Sequence, residues 1–409
     1  MNKVLYMQTT QRLLQMRREK GMEIAKTGKV VFENKKWLVP SQSSSKRYEV
    51  ILGLGTSTCD CPDYVSRRIK CKHIFSVELT VLKEVNADGT TTITQTKRIT
   101  YSQDWANYTK AQVEEGRHFN ELLKDLVANV PEPIREGAGR PPVPLKEALF
   151  CAIEKVYSMK SSRRAHSAYE DAEHKQQITK APNYNVINIL LNDANITPIL
   201  TNLLHITAMP MKEIETAFAP DSTGFRTSQF SDYCEKKHNT KKEHKWIKAH
   251  LICGTKTNVV CDAIITDENG ADSPQLIPLV QNMIDMGFRP QEISADKAYL
   301  SRDNMAFINS VEAVPFIPFK TNSTGKPRGT RVWRDMWLYF QLRQEEFLRH
   351  YHLRSNIEST NMAIKAKLGD SVKSKNFVAQ KNELLCKLIA YNITVLINAM
   401  YELKIEQPF

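Results

Sequence analysis

Apolar positions change their spacing several times along the chain. Over residues 7–26 they recur at helical spacing. Short β-type runs follow at 30–32, 37–39 and 48–52, separated by Asn, Pro and Ser, so a helix and then three strands are predicted. From Ala87 to Asp104 the chain is polar and Thr-rich, with the turn pair Asp88-Gly89, which predicts a linker or hairpin. Helical spacing returns at 104–130. It stops at five prolines within 131–144 and resumes at about 144–160, 162–176, 183–193 and 196–205, an all-α block.

From Glu213 strands alternate with helices. EIETAFAPD reads as a strand ending in Asp221, and WIKAHLICG with NVVCDAIITD as a hairpin joined at 255–258. A helix at about 274–287, the strand EISAD ending in Asp296, a helix at about 301–310 and the buried strand VPFIPF follow. Three strands, then alternation, then terminal helices predict an α/β arrangement with a mixed sheet and flanking helices. Leu384 to Leu403 is strongly apolar, yet Lys387, Asn392 and Asn398 interrupt it, so a packed helix is expected rather than a membrane span.

Within the terminal helical region, Tyr351 to Lys365 reads as a single amphipathic helix ended by Gly369. At about 100° per residue, with Tyr351 at zero, Arg354 falls near −60°, Glu358 near −20° and Lys365 near −40°. A carboxylate sharing one strip with a phenol, a guanidinium and an ammonium can bind a metal ion while its neighbours hold phosphate oxygens. Taken alone, the same strip also reads as a solvated face with an Arg354–Glu358 pair.

Length and charge sharpen this picture. The 409 residues have room for two or three domains. A net charge of +12 favours an anionic partner, nucleic acid above all. Residues 1–83 hold 16 Lys and Arg against 7 Asp and Glu, which implies an N-terminal anchoring module. The opening residues lack an uninterrupted apolar core of signal-peptide length, so a cytoplasmic, nucleoid-associated protein is expected. The expected division is a zinc-binding module at 1–85, a linker at 86–103, a helical DNA-binding or bracing region at 104–205, and a catalytic domain at 206–409.

CDCPDYVSRRIKCKH places Cys59, Cys61, Cys71 and His73 at C-x-C-x9-C-x-H spacing. Three thiolates and an imidazole complete a tetrahedral zinc shell with no open position, as a structural site requires. This stretch resembles the SWIM zinc finger, including the Cys-Pro and the Cys-Lys-His-Ile. That resemblance implies DNA or protein binding. Arg67, Arg68, Lys70 and Lys72 lie inside the loop, where they either meet a phosphate backbone or simply solubilise the module.

Asp221 and Asp296 each close an apolar strand, and Glu358 follows on a helix. Ligands gather at strand ends in α/β sheets, so the three carboxylates can converge on a pair of magnesium or manganese ions suited to in-line phosphoryl transfer. Asp262, inside an apolar strand, and Asp267, at a turn, fit less well.

The order Asp221, Asp296, Glu358 together with Tyr351-x2-Arg354-x3-Glu358-x6-Lys365 resembles the DDE transposases of insertion sequences, over roughly residues 104–400. The resemblance implies an RNase H-like catalytic domain, with Asp221, Asp296 and Glu358 as the metal-binding triad and Tyr351, Arg354 and Lys365 handling the transposon end. It also implies cleavage at the ends, strand transfer by the freed 3′-hydroxyl into target DNA, and a dimer or larger assembly on DNA. Two departures stand out. Ala298 occupies a position that is commonly glycine in the loop after the second aspartate, and only 61 residues separate Asp296 from Glu358, which leaves no room for a large insertion domain. The rival functions are a catalytically inactive, domesticated DNA-binding protein and a structure-specific nuclease of the same fold.

Overall fold

A computed structural model describes residues 17–25, 30–33, 36–42, 46–52, 57–67, 69–85, 91–95, 104–134, 139, 141–227, 246–326, 328–405 and 409. Residues 7–16 of the first predicted helix, and Arg68, lie outside them. The chain forms two compact units, Met1–Gln103 and Asp104–Phe409.

In the first unit the three predicted β runs form an antiparallel sheet with one more short strand. β1 (Val31–Glu33), β2 (Lys36–Pro40), β3 (Arg47–Ile51) and β4 (Thr58–Cys59) pair in chain order. Alternation along β2 turns Trp37 (6% exposed) and the fully buried Val39 to one face, where they join Val50, Ile74 and Val77 in a small core. That core also contains Cys59, Cys61 and Cys71. Helical residues 17–25 pack on the helix Lys72–Thr80 at Gly21, where a Cβ would stand 2.7 Å from the Phe75 Cβ and 2.8 Å from the Lys72 carbonyl, so only glycine permits the approach. β5 (Val81–Val85) and β6 (Thr91–Gln95) pair antiparallel, so the stretch expected as a linker holds a strand. Its β-branched threonines suit an extended backbone.

In the second unit a mixed sheet has the order β11-β10-β7-β8-β9. β7 (Ala217–Arg226), β8 (Trp246–Gly254) and β9 (Val260–Asp267) are antiparallel, whereas β10 (Glu292–Ser294) and β11 (Val314–Phe316) run parallel to β7. The difference follows from the connections. A tight turn at 255–259 can only reverse the chain, while the helices Leu276–Asp285 and Arg302–Ser310 supply the crossovers that parallel strands need.

Helices Trp105–Ala128, Leu145–Tyr157, His166–His174, Tyr184–Asn192 and Ile196–Ala208 agree closely with the predicted block. They share one hydrophobic core with the sheet and the last helix, Phe377–Leu403. This helix is long and apolar enough to cross a membrane, but 83% of its apolar window is buried inside the protein. Its polar residues are core fasteners. Asn392 donates to the Val260 carbonyl (2.8 Å) and Thr207 hydroxyl (2.9 Å) and accepts from the Val260 amide (2.9 Å); Asn382 donates to the Leu191 and Asp193 carbonyls. The helical block is thereby bound to the sheet and the last helix.

Candidate active site and metal centre

Asp221 sits in the middle of β7, not at its end as the sequence suggests. The strand runs on through Arg226 because β8 pairs with it all the way, Asp221 opposite Leu251. Its parallel partner stops early: β10 matches only Ala217 and Phe218. Asp221 therefore projects just past the end of the parallel part of the sheet, where α/β sheets gather ligands. The expected strand stops at Ser294, so Asp296 lies two residues past β10, at the N-cap of a short 3-10 turn, Lys297–Tyr299. Ala298 in that turn has no positive φ, so a glycine is not needed there.

The predicted single helix from Tyr351 is interrupted. One helix ends at Tyr351, His352–Arg354 form a 3-10 turn, and Glu358 lies in the first turn of the helix Ser355–Leu368, which Gly369 ends at φ +80°. The tighter winding breaks the regular 100° strip and re-aims Arg354. Tertiary bonds hold the break in place. Ser294 donates to the His350 carbonyl (3.1 Å) and Asn356 to the Thr255 carbonyl (2.7 Å), tying both flanking helices to the sheet.

All three carboxylates converge on the Arg354 guanidinium. Its Nη1 is 2.6 Å from Glu358 Oε1, and its Nη2 is 3.5 Å from both Asp221 Oδ1 and Asp296 Oδ2. Asn361 donates to the other Asp221 oxygen at 3.0 Å. Burial raises the Asp221 pKa against the opposing pull of Arg354. For Arg354 burial opposes the charge, yet Asp221 and Glu358 outweigh it and the net shift is upward. The side-chain exposures of 18% for Asp221, 45% for Asp296 and 56% for Glu358 describe a mouth open to solvent, unlike a closed structural site. An all-oxygen donor set gathered around a cation suits magnesium or manganese.

Tyr351 is half-buried beside this group, its phenol pKa raised by burial and by Asp296 and Glu358 against the pull of Arg354. Lys365 is half-buried two turns beyond Glu358, its ammonium 5.4 Å from the Phe225 ring centre and its pKa lowered by burial. Two neighbours complete the group, of which Asn361 escaped the sequence reading. Asn361 was detectable as the residue three beyond Glu358 on a helix. Tyr299, already part of the loop after Asp296 that resembles the family, took on its place only with tertiary packing: its buried hydroxyl has no partner among the described residues, and it lies near Asp221, Asp296 and Arg354.

In the first unit, ligand atoms of Cys59, Cys61, Cys71 and His73 all lie within 4.8 Å of one another, and all four residues are buried. The His73 Nδ1 is 3.9 Å from both the Cys59 and Cys71 sulfurs. Zinc–sulfur bonds of about 2.3 Å place tetrahedral ligands roughly 3.8 Å apart, so the donor set fits zinc in number, chemistry and spacing. The Cys59 thiol, by hydrogen bonding to Cys71, draws the latter down to about 4, toward the thiolate that a metal requires. The basic residues of the loop are partly engaged. Arg67 pairs with Asp63 (3.3 Å), Lys70 with Glu78 (2.8 Å), and Lys72 donates to Gln42 (2.8 Å).

Residues 213–393 match the family described as transposase DDE domain, and residues 48–82 match the SWIM zinc finger. No curated protein matches the chain. Among solved structures it is similar to a piggyBac transposase synaptic complex with hairpin DNA, at 10% identity and a TM-score of 0.28, over 71% of this chain and 79% of that one.

Proposed function

We propose that this chain, a DDE-type transposase that also carries a SWIM zinc finger, hydrolyses a phosphodiester at each end of its element and then joins the freed 3′-hydroxyl to target DNA. One observation carries the assignment of residues: carboxylates from a strand, from the turn after another strand and from a helix meet at a single guanidinium. A cation already satisfies the place where Asp221, Asp296 and Glu358 would hold two divalent ions. Such ions stabilise the attacking and leaving oxygens of an in-line displacement.

The chain's own residues then do three things. Asp221, Asp296 and Glu358 fix the ion positions, with Asn361 orienting Asp221. Arg354 keeps three mutually repelling carboxylates together and turns to a phosphate oxygen once they are loaded. Tyr351 and Lys365 hold the strand beside the cleaved bond. In the first step water adds to phosphorus and the bond to the 3′-oxygen breaks; in the second the 3′-oxygen adds to a target phosphate and the target's own 3′-oxygen leaves. No covalent link to the protein is needed, and catalysis is positioning plus charge neutralisation. The zinc module anchors the transposon end, and two ends joined together call for a dimer or larger assembly.

Incubating the full chain with end oligonucleotides, a plasmid target and magnesium tests this reading. Joined products are expected. Cleavage without joining would leave a nuclease, and binding without cleavage an inactive DNA-binding protein.

A further inference from the structure

A cavity of about 210 Å³ lies at the end of the helix Ser355–Leu368 remote from Glu358. Lys155 and Lys160, Leu368, Lys373, and the last helix's Glu383 and Lys387 line it. Ten residues of helix separate Glu358 from Leu368, about 15 Å along the axis. The turn beyond is fastened to the catalytic strand: Arg226, at the end of β7, pairs with Asp370 through both carboxylate oxygens at 2.7 and 2.8 Å, and its carbonyl accepts from the Val372 amide at 2.9 Å.

The charges of this cavity do not balance. Glu383 is 3% exposed and its oxygens accept from the Lys373 and Ser374 amides (both 2.8 Å) and the Ser374 hydroxyl (2.6 Å). None of the four lysines forms an ion pair among the described residues. Lys387, 3% exposed, donates to the Leu368 and Gly369 carbonyls and so caps the glutamate helix. Lys373 donates to the Met159 carbonyl at 2.5 Å. Lys155 is 4% exposed and lines the cavity, and its ammonium has no hydrogen-bond partner among the described residues. Glu383 is the one carboxylate lining the cavity, against four lysines. An ammonium at a cavity wall with no protein partner among the described residues is free to take an anion.

We infer that this cavity is a phosphate site, filled by a backbone phosphate of DNA, with Lys155 and Lys160 as its free ligands and Lys373 and Lys387 shaping its wall. The inference rests on the transposase reading above. An offset of about 15 Å from Glu358 corresponds to roughly four base pairs, at 3.4 Å each, so the same duplex can reach both places.

The test is binding of the full chain to labelled end DNA at several salt concentrations, with calcium in place of magnesium so that nothing is cut. Lys155→Met should flatten the plot of log affinity against log salt by about 0.9 and weaken binding on the order of tenfold near 0.1 M salt. Lys155→Arg should keep both. In DNA-free protein Lys155→Met should leave the melting temperature unchanged or raise it, because it removes one of four like charges gathered around the cavity. An unchanged slope, or a lowered melting temperature that marks Lys155 as merely structural, overturns the site while leaving the transposase reading intact. Absence of DNA binding by the unmodified chain overturns both.

Discussion

The two candidate metal centres are built on opposite plans. In the zinc module four soft donors converge on one another, all buried, with their ligand atoms within 4.8 Å. In the second unit three hard donors converge on Arg354, and two of them stay largely open to solvent. The first plan closes a shell and lends its binding energy to a core of few residues. The second stands in a fold that a large core already holds, so its groups are free to exchange partners. Permanence suits a ligand that builds structure, and exchange suits ions that must meet substrate.

Removing a ligand should therefore cost activity in one place and structure in the other. The largest effect is expected from Asp221→Ala, Asp296→Ala and Glu358→Ala, each lowering magnesium-dependent cleavage by at least about 10³-fold with end binding largely retained. Near-normal cleavage by any one of them would show that the residue is misassigned. Cys71→Ser in the full chain should instead abolish stoichiometric zinc, remove the first unit's unfolding transition and weaken end binding, while the second unit melts as before. Zinc retained at full stoichiometry would break the contrast between the plans.

The same contrast explains what could be read in the sequence. The zinc ligands fall within fifteen residues, so spacing alone exposes them. The helices of 104–208, the 255–259 turn and Asp296 at a strand end are likewise local features, governed by periodicity and turn chemistry. What escaped depends on distant partners. β7 continues past Asp221 because β8 pairs with it to Trp246. No proline or glycine marks the break at His352–Arg354; it accompanies contacts that reach the sheet. In the sequence Arg354 reads as a partner of Glu358 or of DNA, and not of Asp221 and Asp296, which come from far upstream in the chain. The lysine cavity joins positions 155, 373 and 387, which no window of sequence brings together.

Buried charge that neither plan satisfies should show in the pH dependence of stability. Glu154 is 9% exposed, one of its oxygens has no partner, and burial pushes it up to about 7 from 4.5. Its folded form binds the proton more tightly than the unfolded chain does. The stabilisation is therefore fully present below about pH 4.5 and is lost as pH rises through about 7, up to roughly 3 kcal/mol at 1.36 kcal/mol per unit. Denaturant unfolding of wild type and Glu154→Gln across this window should show the difference between them changing with that sign; a constant difference would mean that Glu154 ionises normally.

A smaller effect is expected from Arg354→Gln. The guanidinium now competes with any divalent ion for the three carboxylates, so its removal should tighten calcium binding to the DNA-free protein on the order of tenfold by calorimetry. Weaker calcium binding would mean that Arg354 organises the carboxylates more than it competes for them.

The smallest change concerns Lys365, which tests how far the open plan extends along the glutamate helix. About 10 Å beyond Glu358, it is too distant to share an ion with the carboxylate and well placed for a phosphate next to the cleaved bond. Its ammonium rests near the Phe225 ring rather than on a carboxylate, so it can turn to DNA without breaking an ion pair. Lys365→Ala should weaken end binding at moderate salt and lower the salt slope by about one, with cleavage persisting when DNA is saturating. A lysine that only covers the Phe225 face would leave the slope unchanged, because its removal would subtract packing and no phosphate contact. Titrations of labelled end DNA at several salt concentrations separate the two, and an unchanged slope would confine the DNA-handling face to Tyr351 and Arg354.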